Sequence, residues 1–288
     1  LYQSTIVINN SEITNNTADW GGGFHGHLAT EINVNNSIIS NNNASTNGGG
    51  ISISNNYGGN SYPTFFNTQI SSNESSNKGG GIYAINISPI LTKVTLVNNV
   101  SGVGGGLHCD IAHPNVNNTI MWGNAPEQIY FNEGDPSSVT ITYSDIESGD
   151  AGIETNDNGT VSWGDGNINA DPLFCNADSS DFTLYDNSPC IGTGQDGANM
   201  GAFGQGCEYN PNQFIIWTEG DDGDTKIYDY TTDTWQGIST PGNANGDYID
   251  MVYDIESDRI IWLKGDDGTA KAYDFYNDTW EQISDPGY

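Results

Sequence analysis

Few side chains in this sequence are placed to do chemistry. Three of its four histidines, His25, His27 and His108, follow runs of three glycines. Stacked on one face they would form a metal or acid–base cluster, because imidazole ligates metals and titrates near neutrality. Taken singly, they are ordinary surface positions of a strand. A glycosidase would need two carboxylates roughly 5–9 Å apart. Asp19, Glu31, Glu74 and Asp110 are the candidates, but they do not occupy matched positions. A lyase would need a base such as Arg or Lys. Residues 1–207 contain no arginine, and their lysines are Lys78 and Lys93. These residue types name no catalytic set.

Oxygen ligands give a second possibility, calcium, which takes six to eight of them. Asp221, Asp222 and Asp224, with their copies Asp266 and Asp267, lie in Asp-Gly-rich stretches. Asp165, Asn167, Asn169 and Asp171 alternate along another. Asp-Gly is also a strong hairpin-turn signal, so solvated turns are the competing reading. Of the four cysteines, Cys175, Cys190 and Cys207 crowd into one region. One disulfide is expected among these three, with the pairing left open. Cys109 stands apart, and no Cys-x-x-Cys pair suggests zinc.

Whatever these side chains do, repeats must position them. Ile13-x-x-Asn16 precedes Gly21-Gly22-Gly23-Phe24, and Ile39-x-x-Asn42 precedes Gly48-Gly49-Gly50-Ile51. The pattern returns at Ile70-x-x-Asn73 with Gly79-Gly80-Gly81-Ile82, and at Leu96-x-x-Asn99 with Gly104-Gly105-Gly106-Leu107. The asparagines are 42−16 = 26, 73−42 = 31 and 99−73 = 26 residues apart. That period means stacked units rather than one globular core. Short alternating runs such as Ile51-Ser52-Ile53 predict strands with alternate residues inward. Triple glycines cannot be helix interior, and fit where the chain bends or one coil approaches the next. Asn16, Asn42, Asn73 and Asn99 are expected to form an amide ladder, with Gly21, Gly48, Gly79 and Gly104 opening the bends.

The pairing of Gly-Gly-Gly-aliphatic with Ile-x-x-Asn resembles the repeats of polymorphic outer-membrane proteins and of secreted right-handed parallel β-helix proteins. Asp171-Pro172-Leu173-Phe174 and Ser188-Pro189-Cys190-Ile191 look like that group's closing coils. The resemblance implies an all-β chain: a right-handed parallel β-helix over 1–207, exported from a prokaryotic cell. It fixes no activity.

Residues 208–288 change character. Ile215-Ile216-Trp217 matches Ile260-Ile261-Trp262, Tyr228-Asp229 matches Tyr273-Asp274, and Asp233-Thr234-Trp235 matches Asp278-Thr279-Trp280. The step of 260−215 = 45 is the length of a propeller blade, and the motif resembles the kelch repeat. A small antiparallel β domain of kelch-like repeats is therefore expected, short of a closed propeller and completed by further chain or by a partner.

A net charge of −31 disfavours nucleic acid and anionic membrane, and no apolar run is long enough to span a bilayer. The chain opens at Leu1 with no amphipathic cap, so either a longer surface protein or end-to-end stacking of copies is expected. The functional expectation is an extracellular or cell-surface structural or adhesive protein. It would be non-catalytic, without a cofactor unless calcium binds, and partnered by copies of itself or by cell-surface glycans. The alternative is a carbohydrate-binding or carbohydrate-cleaving β-helix.

Overall fold

The computed structural model describes residues 5–27, 31–55 and 61–208, and beyond them seven strands between Phe214 and Ile283. The chain divides into a unit of Leu1–Tyr209 and a unit of Asn210–Tyr288.

The first unit is an all-β parallel solenoid of about eight turns. Successive turns stack their strands into three parallel sheets, the largest of which carries the first two of the inward columns below. Alternation sends every second side chain inward, where it meets its counterpart one turn away. One inward column reads Ile8, Val34, Phe65, Leu91, Val116, Ile141. A second reads Ile13, Ile39, Ile70, Leu96, Met121, Ile146. The third reads Phe24, Ile51, Ile82, Leu107, Ile129, Ile153. These three columns form most of one continuous apolar core.

The corners explain why the sequence is rich in asparagine. One corner places Asn10, Asn36, Asn67, Lys93, Asn118 and Tyr143 in the left-handed region, with φ between 48° and 53°. The next does the same with Asn15, Asn41, Ser72, Asn98 and Gly123. Asparagine is among the non-glycine residues that tolerate this conformation best, because its short polar side chain bonds locally.

Immediately after the second corner stands the asparagine column. The backbone N–H and the side-chain amide of Asn42 both donate to Oδ1 of Asn73, at 3.0 Å each. The same pair of bonds runs from Asn16 to Asn42, from Asn73 to Asn99 and from Asn99 to Asn124. Each of these side-chain amides from Asn42 to Asn124 donates its second hydrogen to the backbone oxygen of Ile13, Ile39, Ile70 or Leu96, in the turn before. Asn124 ends the series on Gln128, which itself donates to Glu147. Buried amides are thereby satisfied on every rung, as burial requires.

The glycine triplets line up beside this column. Gly48 has φ 69°, a conformation that costs an L side chain. Gly80 is needed for another reason: a Cβ there would stand 2.6 Å from the backbone oxygen of Gly105 in the adjacent turn.

Residues 172–207 then fold back along the outside of the solenoid. Met200 packs with Ile120, Leu184 and Cys190. The Ala202 N–H donates to Thr95 Oγ1 at 2.8 Å and the Phe203 N–H to Asn67 Oδ1 at 3.0 Å. This strap buries outward residues that would otherwise meet water, among them Thr95, Ile120 and Asp145. A disulfide between Cys175 and Cys207 closes it. Of the three candidates for that bond, Cys190 is the one left over, as a buried free thiol. Its Sγ lies 3.1 Å from Asp145 Oδ2, to which the thiol donates.

The second unit contains two antiparallel sheets. Phe214–Thr218, Thr225–Asp229 and Thr234–Ile238 form one. Ile249–Asp254, Arg259–Lys264, Ala270–Asp274 and Thr279–Ile283 form the other. Asp221, Asp222, Asp224, Asp266 and Asp267, the calcium candidates, lie outside the described residues.

Candidate functional site

The glycine corner turns two outward columns toward each other. The residues just before the triplets are Trp20, Asn47, Lys78 and Val103, which bridge in that order. The outward residues just after them are His25, Ser52, Tyr83, His108 and Tyr130, which pair in register. A Cβ on the first glycine of a triplet would lie 2.8 Å from Ser52 Cβ at Gly48, and 3.0 Å from His108 Cβ at Gly104. The chain therefore doubles back there, and the two columns enclose a seam running parallel to the solenoid axis.

Rings fill much of it. His108 sits between Tyr83 and Tyr130, with centroid distances of 5.2 and 5.3 Å. Trp20 lies 6.0 Å from Tyr83 and is 43 % exposed. At the first turn His25 and His27 stack at 6.2 Å, and His27 Nδ1 bonds Ser54 Oγ at 2.7 Å. His25 and His108 share a column but are separated by Ser52 and Tyr83, so the three histidines form no single cluster. No group of three or more His, Cys, Asp or Glu side chains among the described residues is placed to hold a metal.

His108 is the unusual member of the seam. It projects outward from its strand yet is fully buried, and neither ring nitrogen has a hydrogen-bond partner among the described residues. Tyr83 and Tyr130 lie against it, and Lys78 stands one turn before it. The Lys78 ammonium donates to Oδ1 of Asn132, one turn after it, at 2.8 Å. The lysine side chain thus reaches across the rung that carries His108. Burial, reinforced by the Lys78 charge, pushes the His108 pKa down to about 3. Burial and then Asp110 raise the Tyr83 phenol to about 12. His25 is lowered by burial and by its neighbour His27. Asn47, on the same side, has a buried Oδ1 that is also without a partner among the described residues.

Several of the other candidates are engaged in hydrogen bonds within the solenoid. Asn167 accepts from the Ser144 N–H and donates to backbone oxygens of Ile141 and Gly164. Asn169 accepts from the Ser148 N–H and Asp171 from the Leu173 N–H. Their oxygens bind the backbone at turns. Asp19 accepts from Ser45, and Thr5 donates to Glu31, so these two carboxylates are engaged apart from each other.

The sequence reading found His25 and His108 but not Trp20, Asn47, Lys78, Tyr83, Tyr130 or Asn132 as parts of one surface. The usable signal was positional. The residue after the first aliphatic of each unit is outward, and so is the residue before each triplet. Comparison with family models, with characterised proteins and with solved structures gave no match.

Proposed function

We propose that this chain is a non-catalytic surface protein, extracellular and prokaryotic, whose solenoid serves as a rigid rod with an adhesive seam. One observation supports this most: the asparagine column is satisfied without interruption from Asn16 to Asn124, beside the seam that carries the rings. The column stiffens a long surface, and the seam offers groups to a partner. We take the solenoid as right-handed, the hand that twisted parallel strands favour at crossovers. The second unit is read as kelch-like on its 45-residue repeat, and its Asp-Gly turns as the place for calcium should any bind. Copies stacking end to end are part of the same reading, and electron microscopy of purified protein tests it: filaments support it, single particles oppose it.

Within this reading the adhesive partner is a glycan. Trp20 and the half-buried Tyr130 supply ring faces, while His25 and Asn132 supply hydrogen-bonding groups. Successive turns repeat at ~4.8 Å, close to the rise of an extended sugar chain. A glycan panel incubated with and without calcium is the test. Retention of intact glycan supports adhesion, and robust turnover would instead establish an enzyme.

A further inference from the structure

We propose that the seam binds the carboxylate of an acidic sugar residue between the Lys78 ammonium and the His108 imidazole. This rests on the glycan reading and names the unit of glycan that the seam selects.

Two unmet needs meet at this place. His108 is 0 % exposed with both nitrogens unpartnered among the described residues, an arrangement that is costly to leave unmet. Lys78 makes no ion pair among the described residues and rests on a neutral amide oxygen. A carboxylate has two oxygens, acceptor-only when ionised. One would accept from the ammonium and the other from an imidazole N–H. Lys78 is free to turn because its charge sits on a flexible four-carbon stem. Leaving Asn132, it would clear the rung that carries His108 and bring its charge to the incoming group.

Charge and shape narrow the ligand. The groups around the pocket are Lys78, the Asp110 that acts on Tyr83, and Glu127, whose carboxylate already accepts the Gly104 N–H. With two acids beside a single cation, a dianion such as a phosphate monoester is disfavoured, and an anion binds only in direct contact with the ammonium. Tyr130, half-buried against the imidazole, offers the incoming group a ring edge or face, which suits an anion carried on a body with apolar faces such as a pyranose ring. The regular coils around it are also the least acidic part of the chain: residues 1–126 hold five acids and two bases.

The experiment titrates the full chain by calorimetry with hexuronate oligomers and with their neutral methyl esters at low salt. The expected result is at least tenfold tighter binding of one acid form. That preference should vanish in Lys78→Met, persist in Lys78→Arg, and fall in His108→Phe, a variant that keeps the buried ring. Nitrogen-detected NMR of His108 should show its pKa rising when the acid is added. Equal binding of acid and ester would overturn this inference while leaving the glycan reading in place. No binding of either would overturn both.

Discussion

Asp145 shows how one side chain can set the pH response of the closing strap. It is fully buried, accepts from the Ala170 N–H at 3.1 Å and from the Cys190 thiol, and its pKa is raised by burial to about 6. A carboxylate raised in the folded state binds its proton more tightly there than in the unfolded chain. Stability therefore grows as pH falls through 6 toward 4, and is lost as pH rises. The effect is worth about 2–3 kcal/mol at neutral pH, at 1.36 kcal/mol per pKa unit. With 37 acidic residues the whole chain also gains from acidification, so the informative quantity is a difference. Thermal melts of wild type and Asp145→Asn should converge near pH 4, with the variant more stable at pH 8. His108 has the opposite sign. Its lowered pKa means that stability is lost as pH falls below 6.5, and His108→Phe should melt higher than wild type at pH 4. Equal melts at that pH would show that the imidazole is not held uncharged by its surroundings.

At the scale of the element, the columns were partly legible in the sequence. The spacing of Asn16, Asn42, Asn73 and Asn99 was visible, since asparagine is written at each position. Asn124 was hidden because its unit replaces the triplet with Pro126-Glu127-Gln128. The corner columns were also hidden, because Lys93 and Tyr143 take the positions held elsewhere by Asn36 and Asn67. Backbone conformation fixes those positions and tolerates several residue types. The strap could not be read either, because Thr95, Ile120 and Asp145 look like outward strand positions until another segment covers them. Position within the ladder predicts cost. Asn73→Ala strands the backbone N–H and the side-chain amide of Asn42 and removes one of the two donors to Asn99 Oδ1, and should lose about 3 kcal/mol in urea unfolding. Asn16→Ala, at the partly exposed first rung, should lose about 1 kcal/mol or less. Equal losses would mean that the amides do not act as a column. Gly80→Ala should be at least as damaging as Asn73→Ala, because the Gly105 backbone cannot move aside.

For the whole molecule, stability is divided between rungs and strap. The Cys175–Cys207 bond spans 32 residues, a loop for which chain entropy gives about 3–4 kcal/mol. Reduction should raise hydrogen exchange across residues 172–207 while amides at Asn42, Asn73 and Asn99 stay protected. Loss of protection everywhere would mean that strap and coils unfold as one. The rungs themselves depend only on neighbours, as stacked repeats do. That property lets the seam present the same geometry over several turns, and gives Lys78, His108 and Asn132 their places on three successive ones.

Pairwise distances along one outward column measure that stacking directly. Val7, Asn33, Thr64, Ile90, Asn115, Thr140 and Ser162 are register partners in that order. Spin labels at Val7 with Thr140, and at Val7 with Ser162, lie five and six rungs apart, or about 24 and 29 Å at the spacing of neighbouring strands. Pulsed electron–electron resonance should return narrow distributions near those values, separated by one rung. Broad distributions, or distances that do not grow with rung number, would contradict the stack on which every proposed contact in the seam depends.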